Sequence, residues 1–181
     1  EQNLMITRGS NEGINLLLRL CCKADVDNVI ICPPTYGMYA FYAQLQAVNI
    51  IEVPLIASQY SIDIEQITQQ IDCNTKLIFV CSPNNPTGNL VPLEQINGLC
   101  QAVSDSSLVV VDEAYIEFSE QASVVSLLGQ IPNLVVLRTL SKAVGMAALR
   151  IGVVLANKQL IKWLKKIASP YAIAQPCIDA V

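Results

Sequence analysis

Short runs of consecutive apolar residues alternate with helical patterns along most of the sequence, and this alternation constrains the fold more than any other feature. The run at residues 77–81, Leu-Ile-Phe-Val-Cys, is typical of a strand that is covered on both faces. Strand and helix alternate about five times, which predicts an α/β fold with a mostly parallel central sheet and helices on both faces. The predicted strands are residues 29–32, 50–55, 77–81, 108–111, 134–137 and 151–156. The first predicted helix follows Ser10 or Asn11 and carries an apolar run at residues 14–21. Further predicted helices are residues 35–46, 62–71, 93–103 and 158–167, and another is expected to begin at Asp179.

The composition agrees with a well-covered sheet. Hydrophobic residues make up 52% of the 181 residues and charged residues only 14%. This length is enough for one domain with a real core, so we expect residues 1–181 to form a single domain. No apolar run reaches the length of a membrane span, and the residues after Glu1 are not those of a signal peptide.

Two further features of the composition exclude whole classes of function. The chain has no histidine, which excludes Ser-His-Asp and Cys-His catalysis and the usual zinc enzymes. The net charge is −4 and the lysines and arginines do not cluster, which argues against nucleic-acid binding. The seven cysteines have no Cys-x-x-Cys spacing. We therefore expect reduced cysteines in the cytoplasm and no metal site.

Polar side chains follow four of the predicted strands, and the ends of parallel strands meet at one edge of a sheet. These residues are Tyr36, Asn85, Asp112 and Lys142. The first three have a structural alternative: a packing tyrosine for Tyr36, a structural turn for the loop of Asn85 and a surface acid for Asp112. A carboxylate such as Asp112, placed directly after four apolar residues, is costly to bury alone, so we expect it to have a cationic or N–H partner. Tyr115 offers a phenol near the same place.

A second predicted feature is a phosphate site. Gly9 precedes a helix for which Ser10 or Asn11 is a good N-cap, and free N–H groups at such a helix start suit a phosphate. An ordinary capped helix is the alternative. Lys142 lies among small and hydroxylated residues, and Arg150 follows eight residues later.

Four motifs occur in an order that resembles the fold-type I pyridoxal-phosphate aminotransferases. They are residues 34–37 (Pro-Thr-Tyr-Gly), residues 82–88 (Ser-Pro-Asn-Asn-Pro-Thr-Gly), residues 112–115 (Asp-Glu-Ala-Tyr), and Ser141-Lys142 with Arg150. The longer strings at 32–39 and 112–118 are most similar to the histidinol-phosphate aminotransferases within that family. The resemblance covers essentially the whole chain and implies that this is the large, cofactor-binding domain.

The resemblance also implies a role for each residue at the ring of pyridoxal 5'-phosphate (PLP). Lys142 resembles the lysine that forms a Schiff base with the cofactor and moves the substrate proton. Asp112 would pair with the protonated pyridine nitrogen. Tyr115 and Asn85 would donate hydrogen bonds to the phenolate oxygen, and Tyr36 would stack on the ring.

The phosphate of the cofactor would be held by a second group of residues. By the same resemblance these are Ser141, Arg150 and the backbone of Ser10 and Asn11, with Thr139 as a further candidate. The guanidinium of Arg150 matches the geometry of a phosphate.

The resemblance implies transamination between histidinol phosphate and the pair 2-oxoglutarate and glutamate, a reaction of histidine biosynthesis. It also implies a homodimer in the cytoplasm. The family has an N-terminal segment and a C-terminal small domain that we expect to be absent here, so we expect the chain alone to be an incomplete catalyst. Three alternatives remain open. One is an aromatic aminotransferase or a threonine-phosphate decarboxylase of the same fold. Another is a cofactor-binding or dimerising module without turnover. The third, a nucleotide-binding domain, lacks the glycine-rich motifs of that class.

Overall fold

The computed structural model describes residues 2–180, which form one seven-stranded sheet with helices on both faces. The strand order is β1-β7-β6-β5-β4-β2-β3. The strands are β1 (Leu4–Thr7), β2 (Asn28–Ile31), β3 (Asn49–Glu52), β4 (Thr75–Cys81), β5 (Leu108–Asp112), β6 (Leu134–Thr139) and β7 (Gly152–Leu155). The α-helices are α1 (Ser10–Cys21), α2 (Met38–Leu45), α3 (Ile64–Gln70), α4 (Leu93–Ala102), α5 (Lys158–Ile167) and α6 (Gln175–Asp179). Short 3-10 helices cover Ile116–Phe118, Val124–Leu127 and Ala147–Leu149.

The predicted α/β class with a mostly parallel sheet is confirmed. Strands β2 to β6 are parallel, whereas β7 runs antiparallel to β6 and β1 runs antiparallel to β7. Strand β1 was not predicted. It has only four residues at the edge of the sheet, and its partner β7 lies about 150 residues away in sequence, so no local pattern marks it.

The apolar runs are continuous because both faces of the sheet are covered. Alternate strand residues pack against α1, α2 and α5 on one face, with Phe79 and Leu137 among them. The residues between them, such as Val80 and Val136, pack against α3 and α4 on the other face. Each large apolar side chain buried in this way contributes roughly 1.5–3 kcal/mol to folding.

Several boundaries predicted from sequence are wrong. Helix α2 begins at Met38 and not at Thr35. The predicted strand at 50–55 ends at Glu52, although the backbone N–H groups of Val53 and Leu55 still donate to the carbonyl oxygens of Ile31 at 3.0 Å and Pro33 at 2.8 Å. The last helix does not begin at Asp179 but ends there, having started at Gln175 with Pro176 in its first turn. Neither Ser10 nor Asn11 is the N-cap of α1. Gly9 takes that position with a φ of 73°, and no side chain caps the helix.

The register of the parallel strands sets the position of the polar groups that follow them. Cys81 of β4 lies beside Asp112 of β5, and Asp112 lies beside Leu137 of β6. Thr139 and Thr7 both pair with Gly152, the first residue of β7. The carboxyl ends of the parallel strands therefore form one edge, where the loops carrying the candidate residues meet. Among the helices of residues 2–180, none has the length and apolar character needed to cross a bilayer.

Candidate functional site

A small cavity of about 30 Å³ lies at this edge of the sheet and brings together residues from five separate segments. Two of the lining residues were not among the predicted ones: Cys81 and Ala114. The predicted residues that line it are Ser10, Tyr36, Asp112, Tyr115 and Lys142. The structure thus places an acid, a primary amine and two phenols around one space, although they are up to 106 positions apart in the sequence.

Asp112 is the most deeply buried of these groups, with 1% of its surface exposed at the end of β5. The backbone N–H of Ala114 donates to Oδ1 at 3.1 Å, and the hydroxyl of Tyr39 donates to Oδ2 at 3.0 Å. The predicted N–H partner is therefore present. Burial raises the pKa of Asp112 to about 6, and the hydrogen bonds from Tyr39 and Ala114 act in the opposite direction.

Lys142 belongs to the turn between β6 and β7. Its Nζ lies over the ring of Tyr115, 5.2 Å from the centroid, and the positive charge of Lys142 favours the ionised form of Asp112. The amine and the carboxylate therefore face the same small cavity, from β6 and β5 respectively.

Tyr36 stands on the other side of the cavity, just before α2. Its hydroxyl donates to Oδ1 of Asn11 at 3.1 Å, which ties the loop after β2 to the first turn of α1. The ring of Tyr36 meets the ring of Tyr39 edge to face, with centroids 5.6 Å apart. These contacts fix one wall of the cavity.

A cluster of hydroxyl and guanidinium groups lies beside α1. Thr139 is buried, and its Oγ1 donates to the carbonyl oxygen of Ile151 at 3.1 Å and accepts the backbone N–H of Ser141 at 3.2 Å. The guanidinium of Arg150 donates to Oγ of Ser141 at 3.4 Å and to the carbonyl oxygen of Ala147 at 3.1 Å. Arg150 has a φ of 54°, a left-handed conformation that costs a non-glycine residue roughly 1 kcal/mol or more.

Two glycines let the start of α1 approach this cluster. A Cβ on Gly9 would stand 2.9 Å from Nη2 of Arg150, and a Cβ on Gly152 would stand 2.5 Å from the backbone carbon of Gly9. The N-terminal N–H groups of α1, which begins at Ser10, therefore lie next to the guanidinium of Arg150. The sequence predicted a helix that starts near this point and singled out Arg150, but it did not predict the close backbone contact that joins them.

The two adjacent asparagines after β4 differ sharply. Asn84 is buried, and its amide binds the carbonyl oxygen of Pro34 at 2.9 Å and the hydroxyl of Thr87 at 2.7 Å, while Thr35 donates to its oxygen at 3.0 Å. The side chain of Asn85 makes no hydrogen bond within residues 2–180. It lines a wider cleft of about 690 Å³ together with Tyr115 and Phe118. Asn85 is therefore outside the small cavity, but Tyr115 lines both spaces.

The structure adds residues that the sequence did not single out as part of the site. Tyr39 is completely buried, and its ring stacks on Phe79 with centroids 4.8 Å apart. The sequence marked Cys81 only as a small buried residue. Burial raises the pKa of its thiol to about 12, so it lines the cavity as a neutral group. Within residues 2–180, no group of three or more cysteine or acidic side chains is placed to hold a metal ion.

Comparison with known proteins gives consistent results. The family model for class I and II aminotransferases matches residues 1–181. The histidinol-phosphate aminotransferase of Vibrio parahaemolyticus is 49% identical over 178 residues, which are 98% of this chain and 51% of that protein. That of Buchnera aphidicola is 46% identical over 97% of this chain and 49% of its own length. The chain thus spans about half the length of the curated relatives it matches.

Solved structures show the same fold. The histidinol-phosphate aminotransferase of Sinorhizobium meliloti, crystallised in complex with pyridoxal-5'-phosphate, superposes with a TM-score of 0.90 at 25% identity. The match covers 99% of this chain and 49% of that one. The enzyme of the same name from Clostridium acetobutylicum gives a TM-score of 0.85 at 25% identity, over 94% of this chain and 50% of that one.

Proposed function

Since the chain belongs to the class I and II aminotransferase family, we propose that it is the PLP-binding domain of a histidinol-phosphate aminotransferase. One observation carries this proposal. A buried carboxylate, Asp112, and a primary amine, Lys142, face the same cavity at the carboxyl edge of the sheet. The similarity to a structure solved with pyridoxal-5'-phosphate supports the identity of the cofactor.

The residues present fit this cofactor chemically. PLP has a basic ring nitrogen, an aldehyde and a phosphate, and each of these groups has a partner of the right kind here. Asp112 is an anion for the nitrogen, Lys142 is a primary amine for the aldehyde, and Arg150 is a fork-shaped cation for the phosphate. The two hydrogen bonds that Asp112 accepts keep its carboxylate in one orientation.

When bound, PLP supplies an electron sink for the electrons that remain when the substrate α-carbon loses a proton. The chain's own residues provide the rest. Nζ of Lys142 is the amine that would hold the cofactor covalently, and when free it would accept and return the α-proton of the substrate. Because the chain has no histidine, this amine is the natural proton carrier at neutral pH. The carboxylate of Asp112 keeps the proton on the ring nitrogen.

The remaining predicted residues bind and orient the ring. Tyr115 and Asn85 line the same cleft and supply a phenol and an amide as donors to the phenolate oxygen. The amide of Asn85 is available for this because Asn84 makes the structural hydrogen bonds of the loop. Tyr36 supplies an aromatic face, and its bond to Asn11 limits the movement of its ring.

A third group of residues would hold the phosphate. Ser141 and Arg150 already contact each other, and Thr139 positions Ser141 through two hydrogen bonds. The backbone N–H groups of Ser10 and Asn11 at the start of α1 complete the site. The contact between Gly9 and Gly152 brings these two halves together.

We propose that the whole enzyme catalyses the reversible transamination between histidinol phosphate and 2-oxoglutarate in a bacterial cytoplasm. In the direction of histidine biosynthesis, glutamate donates the amino group and 2-oxoglutarate is released. The histidinol-phosphate aminotransferases that are 46–49% identical support this substrate. We also propose that the enzyme is a homodimer. The exposed apolar side chains of Phe41 and Leu45 on α2 support a covered surface there.

The substrate is tested with an enzyme of the length that the relatives have. Amino transfer to 2-oxoglutarate is measured with histidinol phosphate, with phenylalanine and with threonine phosphate, at equal concentration. We expect histidinol phosphate to react at least about a hundredfold faster in kcat/KM than the others, about 3 kcal/mol in transition-state binding. Faster reaction of phenylalanine, or carbon dioxide release from threonine phosphate, would overturn the substrate assignment.

A further inference from the structure

We propose that Tyr39 is a positioning residue for Asp112: its buried hydroxyl keeps that carboxylate, which would pair with the ring nitrogen of the cofactor, ionised and in one orientation. This inference rests on the proposed function, because it concerns the group that we assign to the ring nitrogen. It adds a residue from α2, 73 positions away from Asp112, to the machinery of the site.

Two groups lie near the hydroxyl of Tyr39, the carboxylate of Asp112 and the neutral thiol of Cys81, and the carboxylate is the stronger acceptor. The side chain is completely buried, so water does not compete for the hydroxyl. Its ring is stacked on Phe79 at an interplanar angle of 9° and is met edge-on by Tyr36 at 83°. These contacts hold the ring, and the hydroxyl donates to Oδ2 of Asp112 at 3.0 Å. Desolvation also raises the pKa of this phenol well above its ordinary value, so it stays a donor at every working pH.

The two donors of Asp112 come from different directions and have different roles. The N–H of Ala114 belongs to the same loop and follows the carboxylate wherever it moves. Tyr39 belongs to α2, which packs on the sheet independently of that loop, so its hydroxyl fixes the carboxylate to the rest of the fold. With one donor on each oxygen, the carboxylate retains lone pairs for a third donor, the protonated ring nitrogen.

The charges around Asp112 show why a neutral donor is needed. Cys81 of β4 is a neutral thiol, because burial raises its pKa to about 12. Glu113 is turned away and accepts hydrogen bonds from Ser123 and from the backbone N–H of Val124, the latter at 2.8 Å. Lys142 is the cation that faces Asp112. When the amine of Lys142 is engaged with the cofactor, Tyr39 and Ala114 are the donors that the chain itself supplies to the anion of Asp112.

The test is Tyr39→Phe, which keeps the aromatic contacts and removes the hydroxyl. The titration of Asp112 is followed by NMR in protein labelled with 13C at the aspartate carboxyls, without cofactor, and Asp112→Asn identifies its resonance. We expect the midpoint to rise by about one pH unit, a tenfold change in the protonation constant, because a hydrogen bond to the charged form has been lost. Tyr42→Phe on the same helix is the control, and it should leave the midpoint unchanged.

A second measurement uses the holoprotein. With PLP labelled at the ring nitrogen with 15N, Tyr39→Phe should move the nitrogen resonance toward that of a neutral pyridine, whereas Tyr42→Phe should not. In a further variant, 3-fluorotyrosine at position 39 is a stronger donor of almost the same size. It should move the Asp112 midpoint in the opposite direction, to lower pH. If Tyr39→Phe does not fold, this variant alone tests whether the hydroxyl at position 39 controls the titration of Asp112.

The outcomes separate the two proposals. If the wild-type protein takes up no cofactor on Lys142, the proposed function fails, but the titration without cofactor still decides whether Tyr39 controls Asp112. If the cofactor binds, and neither Tyr39→Phe nor the fluorotyrosine variant moves the Asp112 midpoint or the nitrogen resonance, the inference about Tyr39 is overturned while the proposed function stands.

Discussion

At the scale of single residues, the buried carboxylate of Asp112 shows how much of the site could be predicted from the sequence. Four apolar residues followed by Asp112 were enough to predict a buried, partnered acid at a strand end. Lys142 and Tyr115 likewise follow from local motifs, and the structure places all three at one cavity. Tyr39 could not be predicted, because its role depends on a contact across 73 positions and its local pattern is that of a core residue.

The raised pKa of Asp112 makes a prediction about stability without cofactor. Below pH 3.8 the carboxyl is protonated in both the folded and the unfolded chain. As pH rises toward about 6 the unfolded chain loses this proton first, so stability falls across that window. The difference, 6 minus 3.8, corresponds to about 3 kcal/mol.

Asp112→Asn removes this titration. We expect the cofactor-free variant to be about 1–2 kcal/mol more stable than wild type at pH 8, because it no longer buries a charged carboxylate. Part of this gain is lost because the amide N–H₂ of asparagine then faces one of the two groups that donate to Asp112 in the wild type. The advantage should vanish at pH 4. Urea unfolding at the two pH values measures this difference in stability, and an equal difference at both would contradict the prediction.

The variant Asp112→Asn should also bind PLP weakly and almost stop transamination in the whole enzyme. Normal turnover of this variant would remove Asp112 from its assigned role.

At the scale of elements, loops and close contacts decide the site. The motif at residues 82–88 predicted a rigid loop with an amide for the ligand, and in the structure its two adjacent asparagines have different surroundings. Asn84 joins the loops after β2 and β4, whereas Asn85 faces the cleft. The sequence alone does not reveal which of two neighbouring asparagines points inward, because the turn conformation determines it.

Asparagine variants test this division. Asn84→Ala should cost about 2–3 kcal/mol of folding stability, because it removes three hydrogen bonds in a buried place. Asn85→Ala should leave stability within about 0.5 kcal/mol of wild type and weaken PLP binding instead. Thermal unfolding without cofactor and a cofactor titration measure the two effects. If Asn85→Ala lost as much stability as Asn84→Ala, the division would be wrong.

The junction of β7 with the start of α1 gives another prediction. Gly152→Ala places a Cβ 2.5 Å from the backbone of Gly9, so the strand and the loop have to separate. We expect a loss of about 3 kcal/mol in stability and weaker binding of the phosphate group. Gly98→Ala is the matched control. Its Cβ would meet nothing within 4 Å in the middle of α4, so stability should rise slightly, by up to about 1 kcal/mol. A similar effect of both variants in urea unfolding would contradict the close-contact account.

At the scale of the whole molecule, the alternation of apolar runs and helices was enough to predict the class of fold. Continuous runs require cover on both faces, and parallel strands place their following loops at one edge. The antiparallel edge formed by β1 and β7 was not predictable in this way. Its pairing is long-range, and β1 has only four residues, one of which, Ile6, is exposed. The convergence of the polar loops nevertheless follows from the parallel part of the sheet alone.

The central claim is that this fold holds PLP covalently on Lys142. The most direct test is to add PLP, reduce with borohydride, digest the protein and locate the label by mass spectrometry, with Lys142→Ala as the variant and Lys158→Ala on the surface of α5 as the control. We predict one label, on the peptide that contains Lys142, which is lost in Lys142→Ala and kept in Lys158→Ala. Equal labelling of Lys142→Ala and wild type, or a label spread over the lysines of α5, would contradict the account.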